Sequence, residues 1–200
     1  MVGHKPLKLG MKVRSLPPQF MKLLLHTCCA PCSAYVLKLL ETFNVSVFYH
    51  NPNIDTIEEY ERRKNECQRY CEKNKIPFIE EKYEPNEWTI YIEGLEKEPE
   101  GGKRCEKCFE LRLTKTAEYA KRNGFDLFAT TLSISPHKNS KLINEIGNKI
   151  ADKTGIKFYE TDWKKEDGYK KSCEISKEEG FYRQNYCGCK YSKSHLTKNF

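Results

Sequence analysis

Ten cysteines in 200 residues are the groups best able to do chemistry in this chain. Seven fall in three short runs: Cys28-Cys29-Ala30-Pro31-Cys32, Cys105-Glu106-Lys107-Cys108 and Cys187-Gly188-Cys189. No hydrophobic signal segment precedes them, so a secretory disulfide framework is not the expectation. In a reducing, cytoplasmic setting, thiols this close together serve as metal ligands or as a working redox pair. The chemistry to expect is electron transfer or the holding of a soft metal.

The runs differ in what their spacing allows. The gap in Cys105-x-x-Cys108, at the start of a helical stretch, lets both sulfurs face one metal centre, and a helix N-terminus favours thiolate over thiol. With Cys28 and Cys29 on the same rim, four thiolates are available, enough for tetrahedral zinc or an iron–sulfur cube. Adjacent cysteines are awkward as two ligands of one small zinc ion, which favours the cube. Cys187-Gly188-Cys189 is close enough for a strained, easily reduced disulfide; the same pair could instead be ligands. Cys32 is either a ligand of a second metal or a packing residue at a helix start. Cys67 and Cys71 share one helical stripe with Ile57, Tyr60 and Lys64, which predicts core packing, and Cys173 stands alone among charges.

Elements must bring these runs together. Strand-length apolar runs cover residues 22–27, 45–50, 77–83, 126–132 and 157–162, and helical stretches lie between them at 31–43, 55–74, 105–122 and 140–153. This alternation predicts one α/β domain, a doubly wound parallel sheet, over residues 21–200, with residues 1–20 as a basic arm and residues 84–104 and the last forty as decorations. Sites in such sheets form beyond the carboxyl ends of the strands. The turn at 28–33, the run from Thr130 to Asn139 and the segment Asp162-Trp163-Lys164-Lys165 all fall on that rim. Asp162 is therefore a candidate acid or hard ligand.

A net charge of +7 and a content of 12% aromatic residues point to an anionic partner such as nucleic acid. Phe181-Tyr182-Arg183-Gln184-Asn185-Tyr186 mixes aromatics with an Arg, a composition suited to base stacking and phosphate contact. Lys103, Arg104, Lys138, Lys164, Lys165 and Arg183 are the cations expected near the rim. No run of eighteen apolar residues occurs, so no membrane span is expected.

Taken together, HTCCAPCS at 26–33, YHNPNI at 49–54, GGKRCEKCFELRL at 101–113, TTLSISPHKN at 130–139, DWKKEDGY at 162–169 and YRQNYCGCKYS at 182–192 resemble the cobalamin-independent epoxyqueuosine reductases. The resemblance implies a fold like that of the adenine nucleotide α-hydrolases, with thiolates where ATP-binding relatives carry a Gly-rich phosphate cradle. It implies two-electron reduction of epoxyqueuosine to queuosine in a tRNA anticodon loop, an external electron donor, and a 4Fe-4S cluster held by Cys28, Cys29, Cys105 and Cys108. It further implies that Cys187 and Cys189 form a redox-active pair. A mononuclear iron on Cys32, or an acid such as Asp162 or Tyr186, is expected at the epoxide oxygen. The alternative is a zinc-stabilised nucleic-acid-binding module without catalysis.

Overall fold

The computed structural model describes Pro17 and residues 20–193; the arm expected at residues 1–20 lies largely outside these residues. Five strands form one sheet: β1 (Lys22–His26), β2 (Asn44–Tyr49), β3 (Phe78–Glu80), β4 (Leu127–Thr130) and β5 (Lys157–Phe158). Their order is β3-β2-β1-β4-β5, and every pairing is parallel. Parallel strands need crossover helices. These are α1 (Ala30–Leu39), α2 (Ile57–Lys73), α4 (Lys103–Arg122) and α5 (Ser140–Thr154).

Helices cover both faces, so the central strands are buried on each side. On β1, Leu23 and Leu25 pack with Ala34, Val36, Tyr60, Cys67 and Cys71 of α1 and α2. Leu24 turns the other way, onto Phe109, Leu113 and Ala117 of α4 and Ile143 and Ile150 of α5. The period of two along the strand therefore distributes one apolar run between two cores. Cys67 and Cys71 are both 0% exposed, in keeping with their helical stripe.

Two further helices stand where decorations were expected. α3 (Pro85–Tyr91) packs against α4, and α6 (Gly168–Glu178) packs against α1. A short α7 (Lys190–Lys193) follows the last cysteine run. The strand order reverses between β1 and β4, which opens a crevice beyond their carboxyl ends. Everything chemical collects there.

Candidate functional site

Cys28 leaves β1, and Cys29 is the cap residue of α1 in extended backbone (φ −173°, ψ 163°), with Pro31 in the first helical turn. The proline is preset for that position, so the chain turns sharply and its thiols converge. The Cys28 and Cys29 sulfurs are 3.7 Å apart, and those of Cys28, Cys29 and Cys32 all lie within 4.8 Å of one another. Tetrahedral coordination with metal–sulfur bonds of about 2.3 Å places sulfurs about 3.8 Å apart. The adjacent cysteines are thus well placed for one ion, against the expectation that their side chains would diverge. The triad could hold a metal ion.

Protons are unevenly shared within it. Hydrogen bonds from Cys29 and Cys32 hold the Cys28 thiol well below its ordinary pKa despite burial, and Lys138 and Arg112 add to the effect. The contact with Cys28 pushes Cys29 up to about 12. Cys32 is also raised by its bonds to both neighbours and by burial. Gln184 donates from Nε2 to the Cys29 sulfur at 2.9 Å. Within the triad Cys28 loses its proton most readily, and Cys29 and Cys32 hold theirs more tightly.

The other two runs neighbour each other beside this turn. Cys105 and Cys108 lie in the first turns of α4, where the Gly101 backbone N–H donates to the Cys105 sulfur at 3.2 Å. Burial raises both thiols, Cys108 to about 11, and both feel the charges of Cys187 and Cys189. Cys108 packs with Trp88, Cys189, Ile92 and Leu111. Cys105 and Cys108 thus have Cys187 and Cys189 as electrostatic neighbours, while Cys28 and Cys105 pack against the same core cluster. All ten cysteines are free thiols.

The Cys187–Cys189 loop is pinned by α2. Arg63 donates to the carbonyls of Cys187 (3.1 Å) and Tyr186 (3.5 Å) and pairs with Glu59 at 2.7 Å. Gly188 has φ +118°, and a Cβ there would meet Arg63 Nη1 at 2.9 Å. Glycine is required on both counts. Arg62 stacks on Tyr182 at 3.4 Å, Arg63 lies 5.1 Å from the Tyr186 ring, and Arg69 lies 5.9 Å from Phe181. The aromatics expected to stack on bases are thus engaged first by arginines of α2, which lock the segment onto the fold.

A cleft of about 720 Å³ opens at the switch point, with Cys28, Cys32 and Cys187 in its wall alongside Arg112, Lys138 and Arg183. Arg112 was not anticipated. It is 1% exposed and bonds Asn51 Oδ1 at 2.5 Å and His26 Nε2 at 3.3 Å, with the Cys108 sulfur 4.0 Å away. His26 Nε2 also lies 3.2 Å from the His50 carbonyl, and its Nδ1 lies 2.9 Å from Thr130 Oγ1, so the buried ring is tied to three elements. Burial works to lower the Lys138 pKa, yet the thiols of Cys187, Cys28 and Cys32 hold it above its ordinary value. Neither Arg112 nor Lys138 pairs with a carboxylate among the described residues. The sulfurs of Cys28 and Cys187, when ionised, favour both charges.

Asp162 is not among the residues lining this cleft. Burial opposes its ionisation, but Ser140 and Lys164 hold its carboxyl below the ordinary range. Lys164 also donates to the carbonyls of Ser133 and Lys138, and Trp163 donates to the Thr130 carbonyl at 2.8 Å. The 162–164 segment thereby clamps the loop after β4. Of the expected surface cations, Arg104 is 2% exposed; it donates to the carbonyls of Leu95, Glu96 and Glu98. Lys103 and Lys165 are exposed.

Fold and site define an α/β protein with a five-stranded parallel sheet whose strand-end turn gathers three thiols. A solved structure titled as a predicted subunit of tRNA methyltransferase from Methanocaldococcus jannaschii aligns with a TM-score of 0.56 at 11% identity, over 80% of this chain and 75% of that one. That likeness is one of fold. The family model for epoxyqueuosine reductase QueH matches residues 23–195. Proteins named epoxyqueuosine reductase QueH are 45% identical over 177 residues in Streptococcus pyogenes (85% of this chain, 69% of that protein) and 44% identical over 180 residues in Acinetobacter baylyi (88% and 83%). The chain belongs to the epoxyqueuosine reductase QueH family and is an oxidoreductase.

Proposed function

We propose that the chain reduces epoxyqueuosine in the anticodon loop of tRNA to queuosine with two thiol groups of different design. Deoxygenating the epoxide to the alkene takes two electrons and two protons and releases one water. The observation that carries this reading is the single cleft in which Cys28, Cys32 and Cys187 stand beside Arg112 and Lys138. Cys28, Cys29 and Cys32 have the spacing of three ligands of one ion. Cys105, Cys108, Cys187 and Cys189 are electrostatic neighbours, and they supply the four thiolates of a 4Fe-4S cluster. Such a cluster, when bound, supplies electrons one at a time.

Two cations without carboxylates support bound anionic metal–thiolate charge, because a buried guanidinium left uncompensated is costly. The same cations face the charge that develops on the epoxide oxygen. Tyr186 lines the cleft, and its hydroxyl is the proton donor of this reading. Cys187 lines the cleft while Cys189 packs among Trp88, Cys108 and Leu111, which favours ligand roles over a disulfide cycle. Among the described residues no helix is long and apolar enough to cross a membrane; a cytoplasmic enzyme fed by an external electron donor fits the chemistry.

The test is anaerobic conversion. Protein prepared without oxygen, given a low-potential reductant and tRNA carrying epoxyqueuosine, should yield a nucleoside lighter by one oxygen over many turnovers. Absence of conversion by iron-loaded protein would overturn the reading, and a colourless protein with stoichiometric zinc would favour the binding module.

A further inference from the structure

The cleft contains one carboxylate. Among its lining residues, Glu100 stands alone against Arg112, Lys138 and Arg183. A cleft built only to attract RNA has no use for a negative charge, which repels every phosphate that approaches. The surrounding turn makes the placement deliberate. Buried Arg104 gathers the carbonyls of Leu95, Glu96 and Glu98 and so fixes the path of the chain into Glu100. The neighbouring carboxylates are spent locally: Glu96 accepts from the Gly94 N–H at 3.1 Å and Glu98 from the Lys103 N–H at 3.1 Å. Glu98 Oε2 also stands 2.8 Å from where a Gly102 Cβ would lie, so the turn is closely packed. Glu100 makes no hydrogen bond or ion pair among the described residues. Its side chain is exposed at the cleft's edge, with its lone pairs free.

We infer that Glu100 recognises the cationic amine of the substrate. This rests on the proposed epoxyqueuosine activity and deepens it. Epoxyqueuosine joins its epoxycyclopentane ring to the 7-deazaguanine base through a secondary amine, which is protonated at neutral pH. The modified base therefore brings a positive charge into a cleft whose other charged walls are positive. A single carboxylate offsets that repulsion, and it separates modified from unmodified RNA, because guanosine at the same position carries no such charge. Specificity of this kind is a difference of affinities set by one charge pair.

The signs of the two effects differ, which makes the role testable. Glu100→Gln should weaken binding of an anticodon stem-loop carrying queuosine, which keeps the amine, by about five- to tenfold, in the range of a partly solvated ion pair. The same variant should bind the guanosine stem-loop as well as the wild type or slightly better, since one repulsive charge is gone. Glu100→Asp should keep most of the discrimination. Fluorescence anisotropy on the anaerobic holoprotein reads both affinities. A variant that retains wild-type discrimination, or that loses affinity for both RNAs equally, overturns the inference. Wild-type protein that converts epoxyqueuosine RNA yet does not prefer the queuosine stem-loop overturns it too. Wild-type protein that neither converts nor discriminates fails the underlying reading instead, and takes this inference with it.

Discussion

The turn after β1 and the loop around Gly188 both present thiols to the same cleft, but they are built in opposite ways. At residues 28–32 local sequence does most of the work: Pro31 and the extended backbone at Cys29 bring three sulfurs within 4.8 Å, and Ser172 and Gln184 then bond the turn at the Pro31 carbonyl and the Cys29 sulfur. Around Cys187 and Cys189 nothing local suffices. Arg63 from α2, with its own carboxylate in Glu59, must hold the loop, and Cys105 and Cys108 arrive from α4. A compact group suits a single ion, and a group assembled from two distant segments has room for a larger centre. The first should survive disturbance of the second.

Metal content breaks or sharpens that contrast most strongly. Cys105→Ser should abolish the visible absorption of a cluster and lower activity by at least roughly a hundredfold, since hard oxygen replaces thiolate poorly. Cys32→Ser should leave that absorption intact while removing a second, non-cluster iron from the metal analysis. Loss of cluster absorption in Cys32→Ser would mean that the two groups form one centre.

Arg112 ties the two regions together. Arg112→Met leaves Asn51 Oδ1 and the thiol charges without their buried cation, and should cost about 3–5 kcal/mol by urea denaturation of the holoprotein. Arg112→Lys should recover little of this, because one ammonium cannot reach His26, Asn51 and Cys108 together. A loss below about 1 kcal/mol would show that sulfur does not supply its countercharge.

Gly188→Ala acts on the tertiary-held loop alone. Its positive φ and the crowding against Arg63 predict a loss of about 1–3 kcal/mol and faulty cluster loading, with the non-cluster iron retained. Cys67→Ala, in the core beneath the locally built turn, should keep both metals and cost on the order of 1–2 kcal/mol.

How much of this the sequence carried depends on where each contact comes from. The strand–helix alternation and the rim at 28–33 and 130–139 could be read because apolar runs and turn chemistry are local. The ordered helices α3 and α6 were hidden for different reasons: Pro85–Tyr91 is too short to show a helical period, and Gly168–Glu178 reads as polar surface until α1 is packed against it. Arg63, Arg104 and Arg112 lie on highly charged helices, where an arginine resembles a solvent-facing one. For Arg112 a signal existed, since it lies four residues beyond Cys108 on the same helical face. Its partners His26 and Asn51 could not be inferred without the fold. The aromatics at 181–186 carried the right composition for stacking, but composition does not reveal that α2 presents arginines to them first.

The remaining effect expected is one of pH. His50 is 2% exposed and neither ring nitrogen has a partner; burial, with Arg112 and Lys115, lowers its pKa to about 3. The folded state thus refuses a proton that the unfolded chain takes up near pH 6.5. The stability associated with neutral His50 is full above about pH 6.5 and falls by up to about 1.4 kcal/mol per pH unit between there and pH 3. Buried His26 is shifted in the same direction. His50→Leu should flatten the denaturation midpoint between pH 6.5 and 5 and change it little at pH 8. An unaltered slope would place the acid sensitivity elsewhere.

The central claim is that the three cysteine runs hold two separate centres. Anomalous diffraction at the iron edge, from crystals grown without oxygen, tests it most directly. The account predicts one strong, cube-sized feature among Cys105, Cys108, Cys187 and Cys189, and a separate single peak at Cys28, Cys29 and Cys32. One feature bridging Cys28, Cys29, Cys105 and Cys108, with no second peak, would contradict it.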